Sequence, residues 1–378
     1  MEFLTSAPHY ILSFLVLLTV VVFFHELGHF SIARLCGVRV EVFSLGFGSE
    51  LFGFTDRHGT RWKVSALPLG GYVKMFGQAE RVLEADGRER EMTEAEKAVS
   101  FHHKRVWQRA AIVFAGPAAN FVLTIIIFAA MFSTMGQPFA EPIIGAVRDN
   151  SAAAAAGLKP GDRIISLDGK TVQRFDEIAD ALQLDLSETL DLLIERDGRQ
   201  LHVQVTPQVT EETDLFGNAH RFRRLGVEST GPGQLVRYDP LTSIWVAGRE
   251  TYRLSGQILL SVWQMAIGAR SGEELGGVLR IGKVAGDVAQ LGIVPFIDLM
   301  ARLSINLGLL NLFPIPLLDG GHLAFFAIEG VRGRPLGEKA QEWGMRIGIA
   351  VVLGLMVFAT WNDLVSFKVV DFIKNLVT

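Results

Sequence analysis

His25-Glu26-Leu27-Gly28-His29 sets two imidazoles four residues apart with a carboxylate beside the first. On a helix, positions i and i+4 share a face about one turn apart, so both rings can reach one zinc ion at about 2.0–2.1 Å. Glu26 then stands where a carboxylate can take a proton from water and pass it to a leaving amide nitrogen. The chemistry this predicts is metal-assisted hydrolysis. An apolar run from Tyr10 to Phe24 leads directly into His25. Two histidines and a glutamate at the end of such a run are costly in lipid unless paired or metal-bound. This favours a metal site over a helix end with solvated histidines in the headgroup region.

A hydrolytic zinc site needs a third protein ligand and an open position. Asn311-Leu312-Phe313-Pro314-Ile315-Pro316-Leu317-Leu318-Asp319-Gly320-Gly321 offers Asp319, a carboxylate in an apolar stretch, just after two prolines that force the backbone out of helix. Irregular backbone at membrane depth is tolerated where it lines a cavity or is buried in protein. The segment therefore reads as the wall of an active site. His322 is a rival for the third ligand.

These residues must be positioned by membrane-spanning helices. The chain has 378 residues, 49% hydrophobic and 20% charged, with a mean hydropathy of +0.31. Runs long enough to span the hydrocarbon, about 20 residues, lie at its two ends. They cover Pro8 to Leu35, Ala110 to Met135, Phe296 to Phe313 and Gly344 to Trp361, the last with an amphipathic extension to the C-terminus. Leu241 to Ala269 is apolar on one side but carries Arg249, Glu250 and Arg253. It reads as an interfacial amphipathic helix, with a fifth span as the alternative. No Lys or Arg precedes Arg34, whereas Arg39, Lys97, Lys104, Arg105 and Arg109 flank the loop between the first two spans, and Arg332, Arg334, Lys339 and Arg346 lie between the last two. Both loops are expected on the cytoplasmic side, with the termini and the middle segment opposite. The N-terminus lacks the basic region and cleavage site of a signal peptide. A net charge of −4 argues against nucleic acid as a partner, and a single cysteine, Cys36, excludes an internal disulfide.

From Glu141 to Ser229 the composition turns soluble. A strand at 143–147 leads to a short alanine helix stopped by Gly157, a turn at Pro160-Gly161-Asp162, a strand and a hairpin turn at Asp168-Gly169. A helix at 175–185 and strands at 189–196 and 200–206, around Asp197-Gly198, follow. The order and the A-G-L-x-x-G-D wording resemble a circularly permuted bacterial PDZ domain, which binds a peptide at a sheet edge. By that likeness Leu225-Gly226-Val227 is its carboxylate-binding loop; a spacer that keeps bulky proteins off the membrane is a compatible reading.

H-E-L-G-H in the first span, N-x-x-P-x-P-x-x-D-G in a later one and a PDZ domain between them resemble the site-2 protease family of intramembrane zinc metalloproteases, in its bacterial regulator-of-sigma-E protease branch. The likeness extends to Leu45-Gly46-Phe47-Gly48, Leu67-Pro68-Leu69-Gly70-Gly71-Tyr72-Val73-Lys74-Met75 and Ala115-Gly116-Pro117-x-x-Asn120-Phe121. It implies that His25, His29 and Asp319 bind Zn2+, that Glu26 is the catalytic acid/base, and that Asn311, Pro314, Pro316 and Gly320 shape the substrate site. Phe43 to Met75 then resembles the family's membrane-associated β-hairpin, which offers a strand edge to an unwound substrate. Several relatives carry two PDZ domains; this chain has room for one.

The expected fold is a polytopic α-helical membrane protein of about four transmembrane helices, with a membrane-associated β-hairpin and one inserted α+β PDZ domain. The expected organisation is a first transmembrane helix at 8–36, a cytoplasmic-side hairpin loop at 37–106 and a second transmembrane helix at 107–136. The PDZ domain follows at 140–230, interfacial helices at 238–290, and transmembrane helices at 294–330 and 343–375. The expected substrates are single-pass transmembrane proteins pre-trimmed by another protease, an anti-sigma-type regulator or remnant signal peptides among them. The location implied is a bacterial inner membrane, with the PDZ domain and both termini periplasmic and the active site towards the cytoplasm. Two rival readings are a membrane-anchored protease acting on soluble domains and an adaptor that has lost catalysis, which the intact triad disfavours. Cys36 reads as a buried thiol, His102-His103 as a solvated patch, Asn120 as a helix cap or bridge, and Glu84 to Glu96 as an exposed segment.

Overall fold

Uninterrupted apolar runs form the long helices of this chain. The computed structural model describes residues 2–78, 81–83, 89–185, 187–213, 219–231, 233–269, 272 and 276–367. Among them four helices are long and apolar enough to cross a membrane, Pro8–Leu35, Val106–Thr134, Ile293–Leu312 and Lys339–Ser366. The chain divides into two compact units, one of Met1–Phe128, Ala247–Ser255 and Leu275–Asp363, the other of Ala129–Val246, Gly256–Glu274 and Leu364–Thr378.

In chain order, α1 (Glu2–Leu35) is followed by β1 (Val40–Thr55) and β2 (Arg61–Met75), a small hairpin of β3 (Arg81–Leu83) and β4 (Glu89–Glu91), α2 (Glu94–Val99) and α3 (Val106–Thr134). Residues 84–88 of the expected exposed segment lie outside the described residues, but its end is ordered as α2. There Thr93 and Glu96 cap the helix reciprocally. The segment Phe43–Met75 is more than a simple hairpin. Phe43 stands opposite both Trp62 and Val73, Leu45 opposite both Val64 and Gly71, and Phe54 opposite Trp62. The two strands thus fold into four arms ordered 50–55, 61–67, 40–45 and 71–75. Gly46, Gly48 and Gly70 all take positive φ at the bends, a region open to glycine. The inner face packs Val40, Phe43, Val73 and Met75 against Ala33 and Ile112. Phe47, Leu51, Phe52, Phe54 and Leu67 are exposed.

The second unit contains β5 (Gln137–Phe139), β6 (Ile144–Val147), α4 (Ala152–Ala155), β7 (Arg163–Leu167), β8 (Lys170–Thr171), α5 (Phe175–Leu184), β9 (Leu190–Arg196), β10 (Arg199–Val205), β11 (Gln208–Thr213), β12 (Ala219–Arg224), β13 (Val227–Ser229) and β14 (Gln234–Val236). A four-stranded sheet in the order β10-β9-β7-β8 and a β13-β6 pair enclose Ile144, Ile164, Leu167, Leu190, Leu192 and Ile194. Along the chain β6, α4, β7, β8, α5, β9 and β10 follow in the order expected. Asp168 and Gly169, like Asp197 and Gly198, both have positive φ, the two-residue turn that Asp-Gly favours. The β11–β12 hairpin is an addition that its polar sequence did not announce. Gly226 also has positive φ, and a Cβ there would lie 2.3 Å from that of Ser151. The backbone carbonyls of Leu225 and Gly226 accept from Ala153 and Arg148, which fixes the expected carboxylate loop.

Then come α6 (Pro240–Ala266), α7 (Val278–Gln290), α8 (Ile293–Leu312), α9 (Asp319–Arg332) and α10 (Glu338–Ser366). Asp239 caps α6 through the N–H groups of Leu241 and Thr242. Continuous over 27 residues, α6 is not among the four candidate spans. Residues 294–330 comprise two helices, α8 and α9, with the proline segment between them. The expected amphipathic extension falls mostly at 368–378, outside the described residues.

Candidate active site

The site is built where α1 and α3 cross at small residues. A Cβ on Gly28 would lie 2.1 Å from the Ala115 carbonyl oxygen, and one on Gly116 would lie 2.2 Å from His29 Nε2. Only glycine at both positions lets the helices approach this closely. His25, Glu26 and His29 are all buried. His29 Nδ1 lies 2.9 Å from the Ile112 carbonyl, which can only accept and so holds the proton on Nδ1, leaving Nε2 free as a ligand.

The proline segment delivers the third group. Phe313 caps α8, and Ile315 N–H donates back to the Phe313 carbonyl at 2.7 Å. Leu317 takes φ of +100°, a strained conformation for a non-glycine residue that costs about 1–3 kcal/mol and clusters at functional sites. Close packing holds it there: a Cβ on Gly320 would meet the Leu312 and Phe313 carbonyls at 2.3 Å, and one on Gly348 the Pro316 carbonyl at 1.7 Å. Asp319 therefore opens α9, where the positive end of the helix favours a carboxylate.

His25 Nε2 and Asp319 Oδ2 are 3.2 Å apart, His29 Nε2 and Asp319 Oδ2 3.5 Å, and the two Nε2 atoms 3.2 Å. A tetrahedral ion held at about 2.0–2.1 Å spaces its ligands about 3.3–3.4 Å apart. The three atoms match that triangle. Asp319 Oδ2 is buried without a hydrogen-bond partner, as suits an oxygen that ligates a cation. His25, His29 and Asp319 are the one such group among the described residues. His322, the rival ligand, lines the same cavity but stands outside the group.

The cavity holds about 850 Å³ and is lined by His25, Glu26, His29, Asn311 and Asp319 together with Gly70, Gly71, Tyr72 and Val73 of β2. Asn311 Nδ2 lies 3.4 Å from His25 Nε2. Among the described residues the 71–75 arm pairs only with the first arm of β1, leaving its other edge for an incoming backbone. It reaches the stem of the catalytic side chain, since a Cβ on Gly71 would lie 3.0 Å from Glu26 Cγ. Pro314, Pro316 and Gly320 shape the turn before Asp319, while Leu225, Gly226 and Val227 belong to the other unit. Three residues go beyond the sequence reading. His102, read as solvated, lines the cavity, as does Arg109, which pairs with Glu329 at 2.6 Å. Asn120, read as a helix bridge, also lies 3.3 Å from His25 Nδ1. A lone amide inside an apolar span, four residues after Gly116, was the signal available. Cys36 is half-buried against the aromatic cluster beneath the hairpin.

The pattern of Peptidase family M50 matches residues 13–355. A protein of Agrobacterium fabrum named "Putative zinc metalloprotease Atu1380" is 44% identical over 361 residues, covering 94% of this chain and 96% of that protein. Metalloprotease MmpA of Caulobacter vibrioides is 37% identical over 392 residues, 97% of this chain and 98% of its own. The solved PDZ domain of an SdrC-like protein from Listeria monocytogenes is 17% identical, covers 25% of this chain and 90% of its own, and has a TM-score of 0.20. With a family match over most of its length and these relatives along nearly all of it, the chain belongs to peptidase family M50, the site-2 proteases, and is a polytopic membrane zinc metalloprotease.

Proposed function

We propose that this protein hydrolyses peptide bonds within or near transmembrane segments of single-pass membrane proteins, with His25, His29 and Asp319 holding zinc and Glu26 moving the proton. The observation that carries the reading is the triangle of three ligand atoms at 3.2–3.5 Å in one cavity with Glu26 and a free strand edge. When bound, the metal supplies Lewis acidity towards water and the scissile carbonyl. Glu26 takes the proton of the attacking water as the new C–O bond forms and gives it to the amide nitrogen as the C–N bond breaks. A helical substrate hides its carbonyls in its own hydrogen bonds, so it must unwind first. The 71–75 arm of β2 then holds it extended by strand addition. Asn311 lines the same cavity together with Leu317 and Leu318, which the turn of Pro314, Pro316 and Gly320 puts in place for the substrate.

The substrates are single-pass proteins already shortened by another protease, anti-sigma-type regulators and leftover signal peptides among them. The protein lies in the bacterial inner membrane, its PDZ domain and termini periplasmic and its active site towards the cytoplasm. The PDZ domain either takes a trimmed C-terminus at Leu225-Gly226-Val227 or excludes untrimmed substrates by size. Glu26→Gln in reconstituted vesicles should retain zinc and lose cleavage of a single-pass test helix. Undiminished cleavage by that variant would overturn the assignment.

A further inference from the structure

Both histidines offer Nε2 to the same point, so with metal bound each ring must carry its proton on Nδ1. For His29 the Ile112 carbonyl receives it. Among the described residues His25 has no carbonyl there: its Nδ1 faces Asn120 Nδ2 at 3.3 Å, while Asn120 Oδ1 is buried with no partner. A donor against Nδ1 suits the other tautomer, in which Nε2 carries the proton and is not available as a ligand. An amide serves the metal-bound one equally, because a half-turn exchanges its oxygen and nitrogen with little change of shape. Oδ1 then accepts the Nδ1–H of His25.

We infer that Asn120 is a positioning residue for the zinc, its amide turning to accept Nδ1–H of His25 and so fixing Nε2 as the ligand atom. The inference rests on the zinc triad proposed above. The residue is rigidly placed for the task. Its backbone carbonyl accepts from Thr124 Oγ1 and from Ser304 Oγ of α8, each at 3.0 Å. Gly308 of α8 also lies flush with its side chain, where an added Cβ would come within 3.3 Å of Asn120 Cβ. Outer partners of ligating histidines typically hold 10- to 100-fold of metal affinity.

The test is zinc affinity of the full chain in detergent, by competition with a chromophoric chelator, alongside the absorption spectrum of the cobalt-loaded protein. Asn120→Leu, close in size and unable to hydrogen-bond, should weaken zinc by about 10- to 100-fold and alter the cobalt spectrum. Asn120→Asp, a permanent acceptor, should bind within about threefold of wild type or more tightly. Ser304→Ala removes one of the two donors on the Asn120 carbonyl and leaves Thr124 and the amide in place, so it should lower thermal stability and leave zinc affinity unchanged. Wild-type affinity in Asn120→Leu overturns the inference, as does equal weakening by Ser304→Ala. If Asn120→Leu does not fold, Asn120→Asp decides, since a tenfold loss there is equally fatal. A wild type that takes up no zinc refutes the triad itself, an outcome distinct from all of these.

Discussion

Replacing Gly116 by Ala tests whether the crossing of α1 and α3 sets the metal geometry. The new Cβ would stand 2.2 Å from His29 Nε2, 2.5 Å from Cε1 and 2.8 Å from Cδ2. Ordinary contact begins near 3.4 Å, so the ring must retreat by about 1.2 Å. Metal–ligand distances tolerate about 0.2 Å, and a misplacement of about 1 Å in catalytic machinery costs on the order of 100-fold in rate. That is about 2.7 kcal/mol of transition-state stabilisation. The helices cannot part cheaply to make room, because Gly28 lies flush against the Ala115 carbonyl one step away. Overpacking adds about 1–3 kcal/mol of destabilisation. Local propensity points the other way, since Ala in place of Gly favours a helix interior by about 1 kcal/mol. The two contributions therefore predict opposite signs. The assay is zinc per protein, thermal unfolding in detergent, and cleavage of a reconstituted single-pass helix. The expected Gly116→Ala protein is less stable, poor in zinc and at least about 100-fold slower. A variant that is more stable, fully loaded and fully active would refute the reasoning.

Two further perturbations probe the scaffold around and beyond the site. Asp162 is buried in the PDZ-type domain. Burial pushes its carboxyl up, but the Arg196 guanidinium, the Lys159 N–H and both positive charges outweigh it and hold the group below the usual carboxylate range. A depressed value contributes stability that is complete above the unfolded value, near 3.9, and is lost as pH falls through the folded one. Asp162→Asn should therefore cost about 3 kcal/mol at neutral pH. Its deficit should shrink below about pH 4, read by hydrogen exchange at β7 and β9 in the full chain; a pH-independent deficit would exclude the ion pair as its source. Buried Arg109 and partly buried Glu329 join α3 to α9 at 2.6 Å. Arg109→Met strands the carboxylate and should cost about 3–5 kcal/mol, whereas Arg109→Met with Glu329→Leu should recover most of it. Thermal unfolding of the two singles and the double closes that cycle, and simple additivity would mean the pair is not coupled.

Much of the site was legible because its signals are local. The i, i+4 spacing of His25 and His29 needs only a helix, and the prolines before Asp319 announce a break wherever the helices lie. The Asp-Gly turns at 168–169 and 197–198 are fixed by backbone sterics within two residues. What escaped depends on contacts between segments distant in sequence. The four-armed fold of β1 and β2 pairs Phe43 with two partners at once, and no alternation along either strand encodes that. The β11–β12 hairpin lacks an apolar face to reveal it. Asn120 reads as generic helix glue until α1 is placed against it.

Ala115-Gly116-Pro117-x-x-Asn120 carried weight in the sequence only as part of a resemblance, and the structure supplies its physical content. Gly116 clears space for the His29 ring, Ala115 supplies the carbonyl that Gly28 packs on, and one turn later Asn120 reaches His25. Each residue of α3 thus answers one of α1 at the same crossing: backbone against Gly28, empty space against His29, an amide against His25. The metal triangle closes only where that crossing is tight. Asp319 arrives on a separate, strained turn at Leu317, so the two imidazoles are set by the α1–α3 crossing and the carboxylate by the proline turn. Glycine at 28 and 116 is therefore as much a part of the zinc site as the ligands are, and substitution at either should cost metal binding and fold stability together.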